Sequence, residues 1–519
     1  MASAVAIGAL GTGSAVADYA PDETFGAGGF ADVAFAISEV HVLEDGRILV
    51  GGTTNGPGDD DFVLARLTPT GEPDVSFGEG DGRVITDVSG EGRDDDVRGM
   101  AVQPDGSVLL AGSTATGDAG ADLDTAVVRY ADDGSLDEEF DGEAAGNGVV
   151  VVPTAIEQRD FANDVAVDAG GRIVLAGRVN VVLPEHPDWS GPVETADFSV
   201  IRLTPSGALD DTFDDDGLAT VDFGEVYLDE ARTVTLLDDG DILAGGFAWC
   251  MQCVAMNDAV LARLDGTDGT LEDKIWLDDG EVEDLITEPG TVVAVGNGDG
   301  FGFCGFRLDR IHQADGTYDP TLAGDGSLCL PWDEHGLLFH SVAVDGSSYV
   351  VGGRYLPPES SVRQLAVGRF LATGAPDTSF GPDGVVRLPG GEPTQAVDVD
   401  VYDDGDAATE DPVVAGISRG DGGALLRLAH RPDPLPETTF ITPKPGPTHR
   451  RRPVLRFAAN VDATFRCRVD SKPWMQNCRS GRRLPRLAQG RHRIRVQATD
   501  YLGNVEQLPA RRHIRVVAR

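Results

Sequence analysis

Aromatic and basic residues are both scarce in this sequence. Phe, Trp and Tyr make up 6% of the 519 residues, so any core must be built largely from Val, Leu, Ile and Ala. Lys and Arg number 41 against 87 Asp and Glu, and the resulting net charge of −46 excludes a generic nucleic-acid-binding protein, because phosphate contacts need clustered basic side chains. No run of about 18 or more apolar residues occurs, so no transmembrane span is expected.

Two familiar catalytic motifs are missing as well. The nine His are scattered, and none stands in the His-Glu-x-x-His pattern of zinc peptidases. The Ser-x-Asp-x-Gly-x-x-Trp hairpins of sialidase-like propeller hydrolases are absent, and five Trp leave few platforms on which a sugar could stack. These absences favour a protein that is not an enzyme.

Charge divides the chain near residue 431. Residues 432–519 hold 19 basic and 6 acidic residues, a balance of +13, whereas residues 1–431 hold 22 and 81, a balance of −59. A change of this size predicts two domains. Residues 1–17 carry no charge and end in Ala15-Val16-Ala17, a pattern that signal peptidase accepts. They predict the remnant of a signal peptide, and so a protein that is secreted or held at the cell surface.

An internal repeat of about 59 residues fills residues 18–431. Its opening, Pro-Asp-x-x-Phe-Gly, is clearest at 21–26, 73–78 and 376–381, and weaker copies raise the number of units to seven. Each unit also has a tight turn, usually Asp-Gly, before a Val/Ile/Leu run, and a short strand with one Arg. These Arg are expected at Arg66, Arg129, Arg202, Arg263, Arg307, Arg369 and Arg427. Four strand signals per unit predict a propeller blade, and seven blades close a ring without an exposed sheet edge.

Together, the Asp-x-x-Phe-Gly opening, the Asp-Gly hairpin and the Arg strand resemble the bacterial delta-60 repeat, a family regarded as β-propellers of unknown function. The match covers residues 21–431 and is weaker in units five and six, where Ile275 and Leu322 replace Phe. The resemblance implies a fold and implies no activity. The repeated Asp and Arg are interpreted as a structural latch, since a catalytic Arg would not be needed seven times.

Residues 432–519 have a different pattern, in which strand segments alternate apolar and polar residues. Such segments, at 452–457, 463–470, 491–498 and 512–517, predict a small antiparallel sandwich. The stretch 490–505 and the Phe-x-Cys-x-Val-Asp segment resemble bacterial Ig-like modules. The expected fold class is therefore all-β: a seven-bladed β-propeller over 18–431, followed by an Ig-like β-sandwich over 432–519.

Six Cys in an exported chain favour disulfides over metal ligation. Cys467 and Cys478 stand alone in the C-terminal domain and are expected to pair. The other four lie in neighbouring units and are Cys250, Cys253, Cys304 and Cys329. Two disulfides are favoured there, with three pairings open, although the Cys-x-x-Cys spacing of the first two also fits zinc or redox chemistry.

No cofactor is expected, with calcium as the one candidate. Acidic runs that contain Asp59, Asp60, Asp94 and Asp95 concentrate oxygen ligands in loops, although solvated turns explain such runs as well. The long insertion at 179–197 contains the three candidate ligand-binding residues, which are His186, Asp188 and Trp189.

Three functions are consistent with these observations. The first is an exported, non-enzymatic binding or scaffold module whose partner is an extracellular protein or polysaccharide. The second is a propeller hydrolase or lyase acting on extracellular polysaccharide; a clustered set of His, Tyr, Glu or Arg on the ring axis would favour it, and randomly placed polar groups would favour the first. The third is a purely structural domain.

Overall fold

The chain divides into two compact units, which span 19–430 and 431–519. The computed structural model describes residues 19–54, 60–90, 92–116, 122–140, 147–152, 159–183, 193–224, 228–249, 257–298, 304–330, 336–357, 362–381, 383–388, 394–402, 412–419, 422–430, 438–442, 446–459, 463–475, 478–500 and 509–518. Every regular element in these ranges is a β-strand, so the predicted all-β fold is confirmed. Within the same ranges, no helix long and apolar enough to cross a membrane is found.

The first unit contains twenty-nine strands in its described part. They are β1 (Tyr19–Pro21), β2 (Phe30–Val33), β3 (Phe35–Val42), β4 (Ile48–Thr54), β5 (Phe62–Leu67), β6 (Arg83–Thr86), β7 (Asp95–Val102), β8 (Val108–Thr116), β9 (Asp122–Tyr130), β10 (Val149–Val152), β11 (Phe161–Val167), β12 (Ile173–Leu183), β13 (Val193–Leu203), β14 (Leu218–Val221), β15 (Leu228–Leu236), β16 (Ile242–Trp249), β17 (Asn257–Leu264), β18 (Leu271–Asp279), β19 (Glu281–Glu288), β20 (Thr291–Asn297), β21 (Phe306–His312), β22 (Ser327–Leu330), β23 (Leu338–Asp345), β24 (Ser348–Tyr355), β25 (Gln364–Leu371), β26 (Val385–Leu388), β27 (Gln395–Val401), β28 (Val413–Arg419) and β29 (Gly422–His430).

These strands form seven antiparallel sheets within the described residues. Sheets 1 to 6 each take four consecutive strands, starting with β3–β6 and ending with β23–β26. Sheet 7 combines β27, β28 and β29 with β1 and β2 from the N-terminus. The first strand of each sheet contacts the first strand of the next sheet, and β27 contacts β3. These seven inner strands therefore form a closed cycle around a common axis.

The ring is closed by pairing the two ends of the unit. Strand β1 pairs with β29 at Tyr19 and His430, and β2 pairs with it at Phe30 and Leu426. The strand that follows each Phe-Gly turn is thus the outermost strand of the preceding sheet. The sequence repeat is offset by one strand from the sheet, and the sequence did not predict this mode of closure.

The repeated Arg and the motif Asp form an ion pair that also reaches the neighbouring sheet. Arg66 Nε donates to Asp74 at 2.7 Å, and its Nη1 donates to the carbonyl of Asp132 in the turn of sheet 2. Its guanidinium lies 4.6 Å from the ring centre of the buried Phe77. Pairs of the same kind, which we call latches, are Arg129–Asp137, Arg202–Asp210, Arg369–Asp377 and Arg427–Asp22.

In sheet 5 the prediction that Arg307 is the repeated Arg is wrong. Arg310, not Arg307, pairs with the motif Asp319, at 3.3 Å. The register between the Arg strand and the outermost strand explains the difference. In sheet 1, Phe62 pairs with the last residue of the outermost strand, and Arg66 follows it by four positions. In sheet 5, Phe306 has the equivalent pairing, and the residue four positions after it is Arg310. Arg307 is buried and pairs with Asp309 on the same strand. The replaced Phe of this sheet is Leu322, which fills its site without any exposed surface.

The second unit has two small sheets in its described part. Its strands are β30 (Thr438–Thr442), β31 (Gly446–Thr448), β32 (Val454–Ala459), β33 (Ala463–Val469), β34 (Arg482–Arg483), β35 (Gly490–Asp500) and β36 (Ala510–Val516). One sheet has the order β30-β32-β34, and the other has the order β31-β36-β35-β33. A Cys467–Cys478 disulfide lies in the core with Phe457, Leu455 and Ile494.

A second disulfide joins Cys304, just before β21, to Cys329 in β22. This settles one of the pairings that the sequence left open. Cys250 and Cys253 lie outside the described residues.

Candidate functional site

Every inner strand of the described sheets carries a β-bulge at the same place. The bulged residues are Ser38, Arg98, Asn163, Arg232, Glu283, His340 and Val397. A bulge inserts one extra residue and re-aims its side chain. Because the inner strands contact one another around the axis, these seven positions form one layer, which we call the bulge layer.

An ion-pair network occupies one side of the bulge layer. Arg232 lies between two carboxylates of the next inner strand, at 3.1 Å from Glu281 and 3.2 Å from Glu283. Its Nε is 4.0 Å from Glu230 on its own strand. His340, from the strand after that, lies 3.7 Å from Glu283. Three successive sheets therefore contribute Glu, Arg and His to one cluster on the axis.

The network extends to the preceding two sheets. Arg98 Nη1 donates to Asn163 Oδ1 at 2.9 Å, and Asn163 Nδ2 donates in turn to Glu230 at 3.2 Å. Arg178 is 3.3 Å from the other oxygen of Glu230. The guanidinium groups of Arg98 and Arg178 lie 4.1 and 4.7 Å from the ring centre of Phe161. Polar contacts thus run continuously across five consecutive inner strands.

The pKa values of the two carboxylates beside Arg232 are shifted in opposite directions. Burial would raise the pKa of Glu283, but its hydrogen bond with His340 and the charge of Arg232 outweigh burial and lower it. Burial raises the pKa of Glu281 despite the nearby Arg232. The pKa of Arg232 is itself raised, because its three Glu neighbours outweigh its desolvation.

Four carboxyl groups form a second layer, immediately after the bulge in sheets 1, 3, 5 and 7. Asp164, Asp284 and Asp398 each accept, at 2.8 Å, a backbone N–H from the inner strand of the next sheet. Burial raises the pKa of all three and of Glu39, to about 6 in Asp164, and repulsion among them adds to the shift. The Glu39 and Asp398 carboxyls also share a hydrogen bond. The hydrogen bonds of these buried acids link neighbouring sheets.

Only some of the residues predicted to bind a ligand or calcium lie among the described residues. His186, Asp188, Trp189 and Asp59 lie outside the described residues. The other calcium candidates are adjacent in the fold: the Asp60 carbonyl accepts the Asp95 N–H at 2.6 Å, and the Asp94 carbonyl accepts that of Ala115. The carboxylate of Asp95 lies instead beside those of Asp61 and Asp87.

The bulge layer was not predicted from the sequence. Its signal is present, because six of the seven inner strands interrupt their apolar pattern with two residues that are polar or Gly, directly before a Val, Leu or Met. Examples are Ser38-Glu39-Val40, Asn163-Asp164-Val165 and Glu283-Asp284-Leu285. A break of this kind at a fixed distance before the hairpin turn predicts a bulge, but it does not show which of these side chains meet.

Residues 43–77 and 103–140 match the model of a family described as a domain of unknown function (DUF5122) β-propeller. No curated protein matches the chain. The matching segments and the closed cycle of antiparallel sheets agree, and the first unit is a β-propeller domain.

Several solved structures are similar to the chain at low identity. One is the extracellular domain assigned to a hybrid two-component system of B. thetaiotaomicron, with 10% identity over 94% of this chain and 57% of that chain, and a TM-score of 0.42. The chain thus spans little more than half of its length. Others are Sqt1 of Chaetomium thermophilum, with 12% identity over 77% and 96% and a TM-score of 0.39, and the designed protein Ika8, with 11% identity over 76% and 97% and a TM-score of 0.35.

Proposed function

We propose that the chain is an exported, non-enzymatic binding module that acts at the cell surface or outside the cell. In this proposal it is a seven-bladed β-propeller of the delta-60 repeat type over 18–431, followed by an Ig-like domain over 432–519. Seven described sheets support the blade number, and the two small sheets of the second unit support the Ig-like domain. The two disulfides support export, because such bonds persist in oxidising compartments.

The observation that carries the proposal is a contrast between two sets of repeated positions. The latch positions keep Arg and Asp in sheet after sheet, as structural positions do. The bulge layer has an equally fixed backbone, yet its side chains differ from sheet to sheet. Diverse polar groups on an identical scaffold are what a specific, asymmetric ligand requires.

The chemistry of the bulge layer favours a ligand with both donors and acceptors. Arg98 and Arg232 offer planar donors, whereas Glu283 and Glu230 offer acceptors, with His340 beside them. An extracellular polysaccharide or a polar protein segment satisfies both kinds of group. The long insertion with Trp189 remains a second place for contact.

The test is ligand-induced stabilisation of the full chain by soluble peptidoglycan fragments, teichoic acid and capsular polysaccharides. A ligand at one hundred times its dissociation constant should stabilise the fold by about 2.7 kcal/mol. We expect Arg232→Gln to abolish the shift and Arg83→Gln, in an exposed pair with Asp81, to retain it. If the Arg232→Gln variant still shows the shift, the ligand does not bind at the bulge layer. If no carbohydrate and no protein in a pull-down binds, the structural alternative replaces this proposal.

A hydrolase or lyase acting on extracellular polysaccharide is the second candidate. It is favoured by the Glu, Arg and His cluster on the axis, where Glu281 and Glu283 have pKa values shifted in opposite directions. Neighbouring carboxyls separated in this way are typical of an acid and base pair. Release of reducing ends or unsaturated sugars, lost in both Glu281→Gln and Glu283→Gln, would establish this function and refute the non-enzymatic one.

A further inference from the structure

Two groups of three carboxylates lie at junctions between sheets. In each group one oxygen per residue lies within 4.8 Å of the others, and each group has one half-buried, one exposed and one buried member. The first triad is Asp61, Asp87 and Asp95, and the second triad is Asp197, Asp222 and Asp229.

The two triads occupy the same three positions of the repeat. The first member stands directly before a residue of the Arg strand, which is Phe62 in sheet 1 and Phe198 in sheet 3. That residue pairs with the last residue of the outermost strand, Thr86 in sheet 1 and Val221 in sheet 3. The second member directly follows that outermost strand. The third member is the first residue of the next inner strand in β7 and the second in β15, and in both cases it stands two residues before the bulge register shift. The same arrangement is therefore built twice, between sheets 1 and 2 and between sheets 3 and 4.

The buried member of each triad points to a missing ligand. Asp95 is 0% exposed and Asp229 is 1% exposed. In each, Oδ2 accepts a backbone N–H, from Val88 at 2.7 Å and Phe223 at 2.8 Å. The other oxygen, Oδ1, is buried in both, and that of Asp229 has no hydrogen-bond partner among the described residues, whereas the Thr114 hydroxyl contacts the Asp95 carboxylate. A buried carboxylate oxygen without a partner is costly unless something absent from the protein chain satisfies it.

We infer that each triad is a Ca²⁺ site, so that the propeller binds two calcium ions at repeat-related junctions. Only oxygen ligands converge there, which excludes the soft-metal sites that Cys and His would make. In the first triad the Thr114 hydroxyl lies beside Asp95 and adds a fourth oxygen. The exposed Asp87 and Asp222 leave each site open to ions from solvent.

The second site contains a competitor for the ion. The Lys274 ammonium donates to the Asp222 carbonyl, and its charge lowers the pKa of Asp197 and Asp229, although burial and the neighbouring carboxylates raise both overall. An ion that enters the second triad must overcome this positive charge. The first site is therefore expected to bind Ca²⁺ more tightly.

The chain also supplies an internal control. At the junction of sheets 2 and 3, Asp124 and Asp160 occupy the first and third positions, but the sequence has Pro153 at the second. There Asp160 Oδ1 accepts the Asn180 N–H at 2.7 Å. This incomplete triad has one carboxylate fewer and is expected not to hold an ion.

The experiment is calcium titration of the full chain by calorimetry, with terbium luminescence as a second readout. Tyr130 hydrogen-bonds Thr86 next to the first triad, and Trp276 contacts Phe223 next to the second, so each site has its own sensitiser. We expect two ions per chain. Asp95→Asn and Asp229→Asn should each remove one, and Asp124→Asn should remove none.

Variants of the exposed triad members distinguish loss of calcium binding from loss of folding. Asp87→Asn and Asp222→Asn remove a ligand from the surface and should weaken their own site at least tenfold while the melting profile in chelator is unchanged. Failure to bind Ca²⁺ at millimolar concentration would overturn the inference, as would retention of both ions in the Asp95→Asn/Asp229→Asn double variant. Binding of Mg²⁺ in preference to Ca²⁺ would overturn the assignment of the metal.

Discussion

Arg202 has a completely buried side chain whose charge is satisfied by contacts with two sheets. It pairs with Asp210 at 2.7 Å within its own sheet and donates to the Gly266 carbonyl of the next at 2.6 Å. Its guanidinium also lies 4.5 Å from the ring centre of Phe213. A side chain of this kind fixes the distance between sheets, and its role is readable because the sequence repeats it.

Removing this latch should destabilise the propeller strongly. Arg202→Ala leaves Asp210 buried without its partner, and we expect the free energy of unfolding to fall by about 3–5 kcal/mol. The exposed Arg83–Asp81 pair is the matched control, and Arg83→Ala should change stability by less than about 0.5 kcal/mol. Urea unfolding of both variants measures the difference. Equal effects would show that the latch is dispensable.

Lys274 is a residue whose replacement should strengthen Ca²⁺ binding. Lys274→Met removes the positive charge beside the second triad but keeps the aliphatic stem, so Ca²⁺ affinity there should rise several-fold. Affinity at the first triad should not change, because Lys274 lies at the other junction. Terbium luminescence excited through Trp276 reports the second site. Weaker binding in this variant would contradict the competition argument.

At the level of the strands, sheet 7 depends on residues from the other end of the unit. Tyr19 is 1% exposed, its hydroxyl accepts from Arg369 at 3.0 Å, and its ring centre lies 4.5 Å from that of Phe380. Asp22 pairs with Arg427 across the closure. The N-terminal strands therefore cover an edge that would otherwise be open.

A chain that starts at residue 35 should be severely destabilised. It loses the closing latch and two buried aromatic side chains, and we expect the melting temperature to fall by about 10 °C or more. The uncovered edge of β29 should also promote self-association, measured by light scattering. A chain that starts at Tyr19 is the control and should remain monomeric and stable. A stable monomer from residue 35 would mean that closure does not depend on β1 and β2.

The sequence predicts strands better than it predicts their partners. Turns such as Asp45-Gly46 before an Ile/Leu/Val run reveal β4, since local backbone preference and hydrophobic pattern agree there. The pairing of Arg310 with Asp319 was missed because it depends on strand register, which a neighbouring Arg307 obscures. The bulge layer was missed because its contacts join residues about sixty positions apart, and local patterns carry no information about such distances.

At the level of the whole molecule, two populations of acids should give stability a maximum in mildly acid solution. Burial would raise the pKa of Asp74, but Ser76 and Arg66 outweigh it and hold it at about 2. Such latch acids stabilise the fold above their unfolded pKa of about 4, and this contribution is lost as the pH falls toward 2. Burial raises the pKa of Asp95 and Asp164 to about 6 and that of Asp229 to about 7. The folded state binds protons more tightly at these groups, so stability must fall as the pH rises from about 4 through 7.

In chelator, the melting temperature should therefore be highest near about pH 4 to 5 and decline toward neutral pH, in the same direction as the repulsion expected from a net charge of −46. Calcium should oppose the decline, because it binds the ionised triads, and its stabilising effect should shrink as the pH falls below about 6, where Asp95 and Asp229 take up protons. Thermal melts from pH 3 to 8, with chelator and with Ca²⁺, test both statements. The Asp95→Asn/Asp229→Asn variant should show a flatter decline in chelator and no calcium effect. A melting temperature that rises steadily to pH 8 in chelator would mean that the buried acids ionise without cost, and the buried carboxyl groups of Asp95 and Asp229 would then not indicate a missing ion.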